Sequence, residues 1–299
     1  MRIYAALMKW GIVFSSTTCP DPESAAALAE NAEEAGFESL WAPEHIVIPS
    51  EYEPTYDASP TGRMDRLGRR GGVPDPIVWF AYVAARTTRL RFGTGVVILP
   101  EHNIPTFAKS CATLATLSKG RFMLGVGVGW CREEYEALNM PWDHRGERHE
   151  EAIEALRTLW RDDEPSYEGR YLRFPPLACD PKPPGGTIPI VIGGTSAPAV
   201  RRAGRIGDAY FPAIFPTERV YEELPKLVAL LRASAEEAGR DPSSIEITSG
   251  GIRTAAEAHW FADLGVSRMT VAVRAKTIPD MREELIRFGD EVIATTADL

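Results

Sequence analysis

Short apolar runs alternate with longer stretches whose apolar positions recur at helical spacing, from near the N-terminus to the end of the chain. The first run, Lys9–Ser15 (KWGIVFS), reads as a strand. Asp21-Pro22 then sets a capping carboxylate ahead of a proline in a first helical turn, and an alanine-rich helix follows to about Ala35, where Gly36 stops it. Further strands are expected at Ser39–Ala42, Leu90–Ile98, Arg121–Val128, Ile188–Ile192, Asp208–Phe211, Ile245–Ser249 and Arg268–Val273. Helices are expected from Asp75-Pro76 to near Thr87, and over Ile104–Leu117, Gly146–Trp160, Pro198–Gly204, Glu218–Ala238, Thr254–Leu264 and Ile278–Ile293. A small hairpin over Ser166–Phe174, turning at Glu168-Gly169, and a proline-rich link precede the fifth strand.

Strands that alternate with helices imply parallel strands joined by right-handed crossovers. Eight such units closing on themselves make an α/β fold of the (β/α)8 TIM-barrel type; the rival is a doubly wound open sheet. No linker divides the chain, so residues 1–299 are expected to form a single domain. Met8 opens a more convincing first strand than Met1, and residues 1–7 are expected to be an extension or an alternative start. Between the second strand and its helix lies a long segment, Pro43 to Asp75, rich in Pro, Gly, Arg and Asp and without a period. Loops of that length are usually functional, and closure over a site is expected of it.

Composition adds limits rather than identity. The chain has 299 residues, room for one barrel of roughly 250 residues with modest insertions. At 44% hydrophobic and 25% charged it is ordinary for a globular protein. A formal net charge of −9 argues against nucleic-acid partners, which need a basic face. No apolar run approaches the roughly 18 residues of a membrane span, and the start is too weakly apolar for a signal peptide, so a cytoplasmic protein is expected. Cys19, Cys111, Cys131 and Cys179 are far apart and form no C-x-x-C pair, so neither zinc nor a disulfide framework is suggested.

In such a barrel the site lies at the C-terminal ends of the strands. His45 follows the second strand, and its imidazole suits proton transfer beside a hydride acceptor or a structural hydrogen bond equally well. Glu44 is either the partner that sets its tautomer or a solvated acid. The run Leu124-Gly125-Val126-Gly127-Val128-Gly129-Trp130 strips side chains from one face, either for a flat ligand or for tight packing inside the barrel. Gly193-Gly194-Thr195-Ser196 precedes a helix; its amides and hydroxyls form a phosphate cradle or an ordinary cap. Glu133 and Glu134 read as charges suited to a helix N-terminus. His144 and His149 sit in the charged start of the fourth long helix with no metal-ligand set around them, and no metal is expected. Neither G-x-S-x-G nor H-E-x-x-H is present.

These motifs, in this order, resemble the luciferase-like monooxygenase family, most closely its branch of deazaflavin-dependent oxidoreductases that use coenzyme F420. The resemblance is carried by Ala32–Pro49 (AEEAGFESLWAPEHIVIP), Thr87–Val96 (TTRLRFGTGV), Leu117–Trp130 (LSKGRFMLGVGVGW) and Pro189–Gly194 (PIVIGG). It implies a cofactor at the barrel mouth, with Glu44 and His45 as the catalytic acid–histidine pair. It implies that Thr94, Gly95 and Val96 underlie the ring system, with a non-proline cis peptide at Gly95-Val96. It also implies that Gly127, Gly129, Gly193, Gly194, Thr195 and Ser196 hold the cofactor's side chain and phosphate. Sugar-phosphate dehydrogenases of the family carry a glutamate straight after the glycines of the fourth strand; here the residue is Trp130. The resemblance therefore points away from sugar phosphates. Trp130, Trp10 and Trp79 suggest aromatic walls around a small organic substrate, and relatives of this kind are commonly homodimers. The leading expectation is hydride transfer between F420 and such a substrate; the alternatives are an FMN-dependent monooxygenase and a flavin-binding barrel without catalysis.

Overall fold

Local chemistry fixes where half of the helices start. Asp21, Asp75, Asn103, Thr254 and Thr277 each accept a hydrogen bond from a backbone amide of the first turn that follows, satisfying a donor the helix leaves unpaired. In four of these five the residue after the cap, or the one after that, is proline, whose fixed φ suits the first turn. The computed structural model describes residues 8–56, 59–64, 72–214, 219–251, 254–296 and 299. The expected N-terminal extension, 1–7, and part of the long loop, 57–58 and 65–71, lie outside the described residues.

In chain order the elements are β1 (Lys9–Ile12), α1 (Ser15–Thr18), α2 (Pro22–Glu34), β2 (Ser39–Ala42), α3 (Pro76–Ala84), β3 (Arg91–Thr94), β4 (Val97–Ile98), α4 (Ile104–Leu117), β5 (Phe122–Gly127), α5 (Arg132–Ala137) and α6 (Arg145–Arg161). A hairpin of β6 (Tyr167–Glu168) and β7 (Arg173–Phe174) follows. Then come β8 (Ile190–Gly193), α7 (Ala197–Ile206), β9 (Ala209–Phe211), α8 (Val220–Glu237), β10 (Glu246–Gly250), α9 (Ala255–Asp263), β11 (Arg268–Val271) and α10 (Ile278–Phe288). All pairings outside the hairpin are parallel, and they run β1-β2-β3-β5-β8-β9-β10-β11 and back to β1. The sheet is thus a closed eight-stranded barrel, which decides against the open sheet.

Two of the expected strands are interrupted. The run Lys9–Ser15 ends as a strand at Ile12, because Phe14 turns into the left-handed region (φ 59°) and Ser15 opens a single helical turn. The run Leu90–Ile98 is split: Gly95-Val96 is a cis peptide, as the family resemblance implied, and separates β3 from β4. Both halves pair with β5, Gly93 opposite Met123 and Val97 opposite Val126.

Two apolar cores result. The larger fills the space between strands and helices. The smaller, Trp41, Met123, Val191, Ala209 and Phe211, comes from alternate positions of strands and plugs the barrel. Trp41 dictates its surroundings: a Cβ on Gly93 would stand 2.6 Å from its ring, and one on Gly11 2.7 Å from Ser39 Oγ, which accepts the indole N–H.

Candidate active site

The mouth of the barrel is built where β2, β3–β4 and β5 end. Thr94, the last residue of β3, is fully buried and clasps β5 with one hydroxyl: Oγ1 donates to the Gly125 carbonyl and accepts the Gly125 amide, both at 2.7 Å. A Cβ on Gly125 would lie 1.8 Å from the Thr94 carbonyl oxygen. After the cis peptide, Val96 stands over two further glycines; a Cβ on Gly127 would approach its methyls to 2.9 Å and one on Gly193 to 2.6 Å. The glycine run of the fourth barrel strand is therefore explained first by close packing against Thr94 and Val96. Gly129 turns with positive φ (67°) where a Cβ would meet Ile98.

His45 and Glu44 diverge. His45 Nδ1 lies 2.7 Å from Oε2 of Glu134, whose side chain is fully buried. Glu134 Oε1 accepts the Val47 amide at 3.2 Å. Glu44, also buried, turns to the other side: Oε2 accepts the Ile98 amide at 2.9 Å and lies 3.0 Å from His102 Nε2. Glu44 is thus neither the partner of His45 nor a solvated acid. It anchors the turn after β4, a 3-10 turn at Leu99–Glu101, by the residues on either side of it. Glu133 and Glu134 stand in the first turn of α5, as the helix-dipole reading expected, and have a further duty. Both tether the loop after β2, Glu133 Oε1 accepting the Glu53 amide at 2.8 Å.

His102 escaped sequence reasoning, and Glu134 was given only a place at a helix start. A signal for the first was present, since Pro-Glu-His occurs twice, at Pro43-Glu44-His45 and Pro100-Glu101-His102. The structure crosses the two copies, pairing Glu44 with His102.

Trp130 faces this cluster. Its ring lies 6.0 Å from the His45 ring, 5.4 Å from that of Tyr52 and 5.0 Å from that of Tyr56, so the long loop folds its tyrosines onto the mouth. Tyr52 Oη in turn accepts the Met64 amide. Trp10 and Trp79 are not part of this wall. Trp10 packs edge-on against Phe288 and donates to Thr296 Oγ1; Trp79 donates to the Cys19 carbonyl. Both indoles are buried in the core between strands and helices.

At the end of β8, Gly194 adopts φ 113°, and its carbonyl accepts the Tyr210 hydroxyl. Ser196 is the N-cap residue of α7 but makes no side-chain cap bond; Thr195 and Ser196 are exposed. The ordinary-cap reading therefore fails here, and the first amides of α7 are left without a side-chain acceptor from Ser196. All four cysteines are buried and free, and no cluster of metal-ligating side chains occurs among the described residues. No helix among the described residues is long and apolar enough to cross a membrane.

A family model described as luciferase-like monooxygenase matches residues 8–259. An uncharacterised protein of Mycobacterium tuberculosis, Rv0953c, is 36% identical over 189 residues, which are 62% of this chain and 65% of that protein. The chain thus spans just under two thirds of the length of that relative. An F420-dependent glucose-6-phosphate dehydrogenase of Mycolicibacterium gilvum is 30% identical over 230 residues, 75% of this chain and 62% of the relative. Among solved structures, the oxygenating constituent of 3,6-diketocamphane monooxygenase from Pseudomonas putida, in complex with FMN, superposes with a TM-score of 0.63 at 18% identity, covering 85% of this chain and 70% of that one.

Proposed function

The chain belongs to the luciferase-like monooxygenase family, and from that premise we propose that it transfers hydride between coenzyme F420 and a small organic substrate at the barrel mouth. The observation that carries the reading is His45 held by a fully buried Glu134 beside Trp130. A carboxylate only accepts, so this contact places a hydrogen on Nδ1 and leaves Nε2 as the basic nitrogen. Nε2 takes the hydroxyl proton when a substrate alcohol is oxidised, and returns it in the reverse direction. Glu134 stabilises the imidazolium formed in between.

The residues present fit the cofactor. Gly193, Gly194, Thr195, Ser196 and the uncapped start of α7 would hold its phosphate, because free amides at a helix N-terminus favour an anion. Thr94, Gly95 and Val96, with Gly127 packed against Val96, would support its ring system. When bound, the deazaflavin supplies or accepts the hydride. Trp130, Tyr52 and Tyr56 exclude water and favour an apolar or aromatic substrate. F420 is preferred over FMN because an F420-dependent enzyme is a relative in sequence, whereas the FMN-bound structure shares the fold at much lower identity.

Anaerobic titration with F420, followed by its fluorescence, tests the reading. Saturable binding that Gly194→Asp abolishes is expected. Failure of wild-type protein to bind F420, together with saturable FMN binding and NADH-driven oxygen uptake, would replace it by an FMN monooxygenase. Binding of neither would overturn both.

A further inference from the structure

Glu101, in the second Pro-Glu-His triplet, has no part in the hydride-transfer reading and no part in the contact between Glu44 and His102. It closes the turn Leu99–Glu101, is 3% exposed, and neither carboxyl oxygen has a hydrogen-bond partner among the described residues. The turn is clamped from both sides onto Glu44, by the Ile98 amide before it and His102 after it. Glu101 is close enough to the carboxylates of both histidine pairs, His102–Glu44 and His45–Glu134, for each to oppose a charge on it.

An ionised carboxylate buried without a partner is prohibitively costly, and such a group neutralises instead. None of the groups around it pairs with it. Glu44 and Glu134 oppose a negative charge, and each already has its own histidine. Tyr135, on the same helix as Glu134, gives its hydroxyl to the Val128 carbonyl. The helix packed against the turn, α6, brings Arg145, whose guanidinium stacks on Trp142 at 3.8 Å, and His149, which is wholly buried with both ring nitrogens unpartnered.

We propose that Glu101 is carried as an un-ionised carboxylic acid, a positioning residue whose retained proton keeps a third negative charge away from Glu44 and Glu134 and so holds both histidine pairs in place. That this bears on turnover rests on the hydride-transfer reading; the proton itself does not. Burial, and after it the charges of Glu134 and Glu44, pushes the carboxyl up to about 9. A carboxyl raised in the folded state contributes stability that is complete below its unfolded value and is lost as pH rises through the folded one. The loss therefore runs from the ordinary carboxylate range up to about pH 9. Glu101→Gln copies the neutral acid and escapes this loss.

The experiment needs neither cofactor nor substrate. Melting temperatures of wild type and Glu101→Gln are compared between pH 5 and pH 9, and the His45 ring signals are followed by NMR over the same range and up to pH 10. The expected result is similar melting at pH 5 and a gap that widens in favour of the variant as pH rises. A late inflection of the His45 signals, near pH 9, appears in wild type only. Parallel melting curves, or an inflection that survives in Glu101→Gln, overturn the proposal. Should the variant fail to fold, infrared spectra of wild type decide: a protonated carboxyl band present at pH 7 and lost near pH 9 supports it, and its absence at pH 7 overturns it. Loss of F420 binding would sink the hydride-transfer reading and leave each of these outcomes intact.

Discussion

At the scale of single residues, the site turns on which nitrogen of His45 carries hydrogen. Glu134, a pure acceptor at 2.7 Å, fixes it on Nδ1. A glutamine at 134 presents an amide that donates as well as accepts, and so permits the other tautomer. His45→Ala is expected to lower kcat by about 10²- to 10⁴-fold, the range of a lost general base. Glu134→Gln is expected to lose a large part of the same factor while F420 still binds, so paired kcat and Kd measurements check both. Unchanged kcat in Glu134→Gln would show that the carboxylate only tethers the loop through Val47. Sequence reading reached His45 from its place after a strand, but gave it the wrong neighbour. Adjacent residues are the natural guess for a pair, yet Glu44 and His45 diverge, and the partner arrives from 89 positions away. Spacing along the chain carries no trace of such a contact until the closed sheet brings the ends of β2 and β5, on either side of β3, to one mouth.

At the scale of elements, periodicity was enough to locate the eight barrel strands, because strands buried on both faces read as unbroken apolar runs. It could not see where a run breaks. Leu90–Ile98 reads as one continuous strand, but Thr94 and Val96 do different work on either side of Gly95. Thr94 uses its hydroxyl as donor and acceptor at once, satisfying both the amide and the carbonyl of Gly125. Thr94→Val keeps the shape and leaves both backbone groups unpaired in a buried place. It is expected to cost about 1–3 kcal/mol in urea unfolding, the usual penalty for buried groups without partners. Thr94→Ser retains the hydroxyl and should recover most of that loss. Equal destabilisation by the two variants would assign the effect to the missing methyl and not to the clasp. The same packing explains why the glycines of β5 looked like a ligand feature: they face β3 and the chain just beyond it, and any cofactor would meet Val96 before it met them.

At the scale of the whole molecule, the two ends of the barrel have separate duties. The mouth carries the histidine pairs and the aromatic wall; the opposite end carries a ring of charge. Lys9, Arg91, Glu246 and Arg268 are the first residues of β1, β3, β10 and β11, and Glu38 directly precedes β2. Fully buried Arg268 grips Glu38 with two nitrogens, at 2.9 and 3.0 Å, and reaches Glu246 at 3.2 Å; Lys9 pairs with Glu246 and Arg91 with Glu38. Five of the eight barrel strands are thereby tied at their starts, far along the chain from one another, and no local motif announced it. Burial alone would push the carboxyls of Glu38 and Glu246 up, but Arg268, with Arg91 and Ser39 at Glu38 and with Lys9 and Arg91 at Glu246, outweighs it and holds both below their ordinary value. Groups lowered in this way contribute stability above their unfolded range that is lost as pH falls through the folded one. Arg268→Met removes the shared cation and strands two partly buried carboxylates. A loss of about 3–5 kcal/mol is expected, as for a broken buried ion pair. Without Arg268 the two carboxyls rise, so the variant should lose less stability than wild type when pH is lowered from 6 to 4. Because the mouth is untouched, kcat measured well below the melting temperature should match wild type. A fall in kcat without a fall in stability would mean that the charge ring reaches the chemistry through Trp41, whose ring lies 5.6 Å from the Arg268 guanidinium and fills the barrel between its two ends.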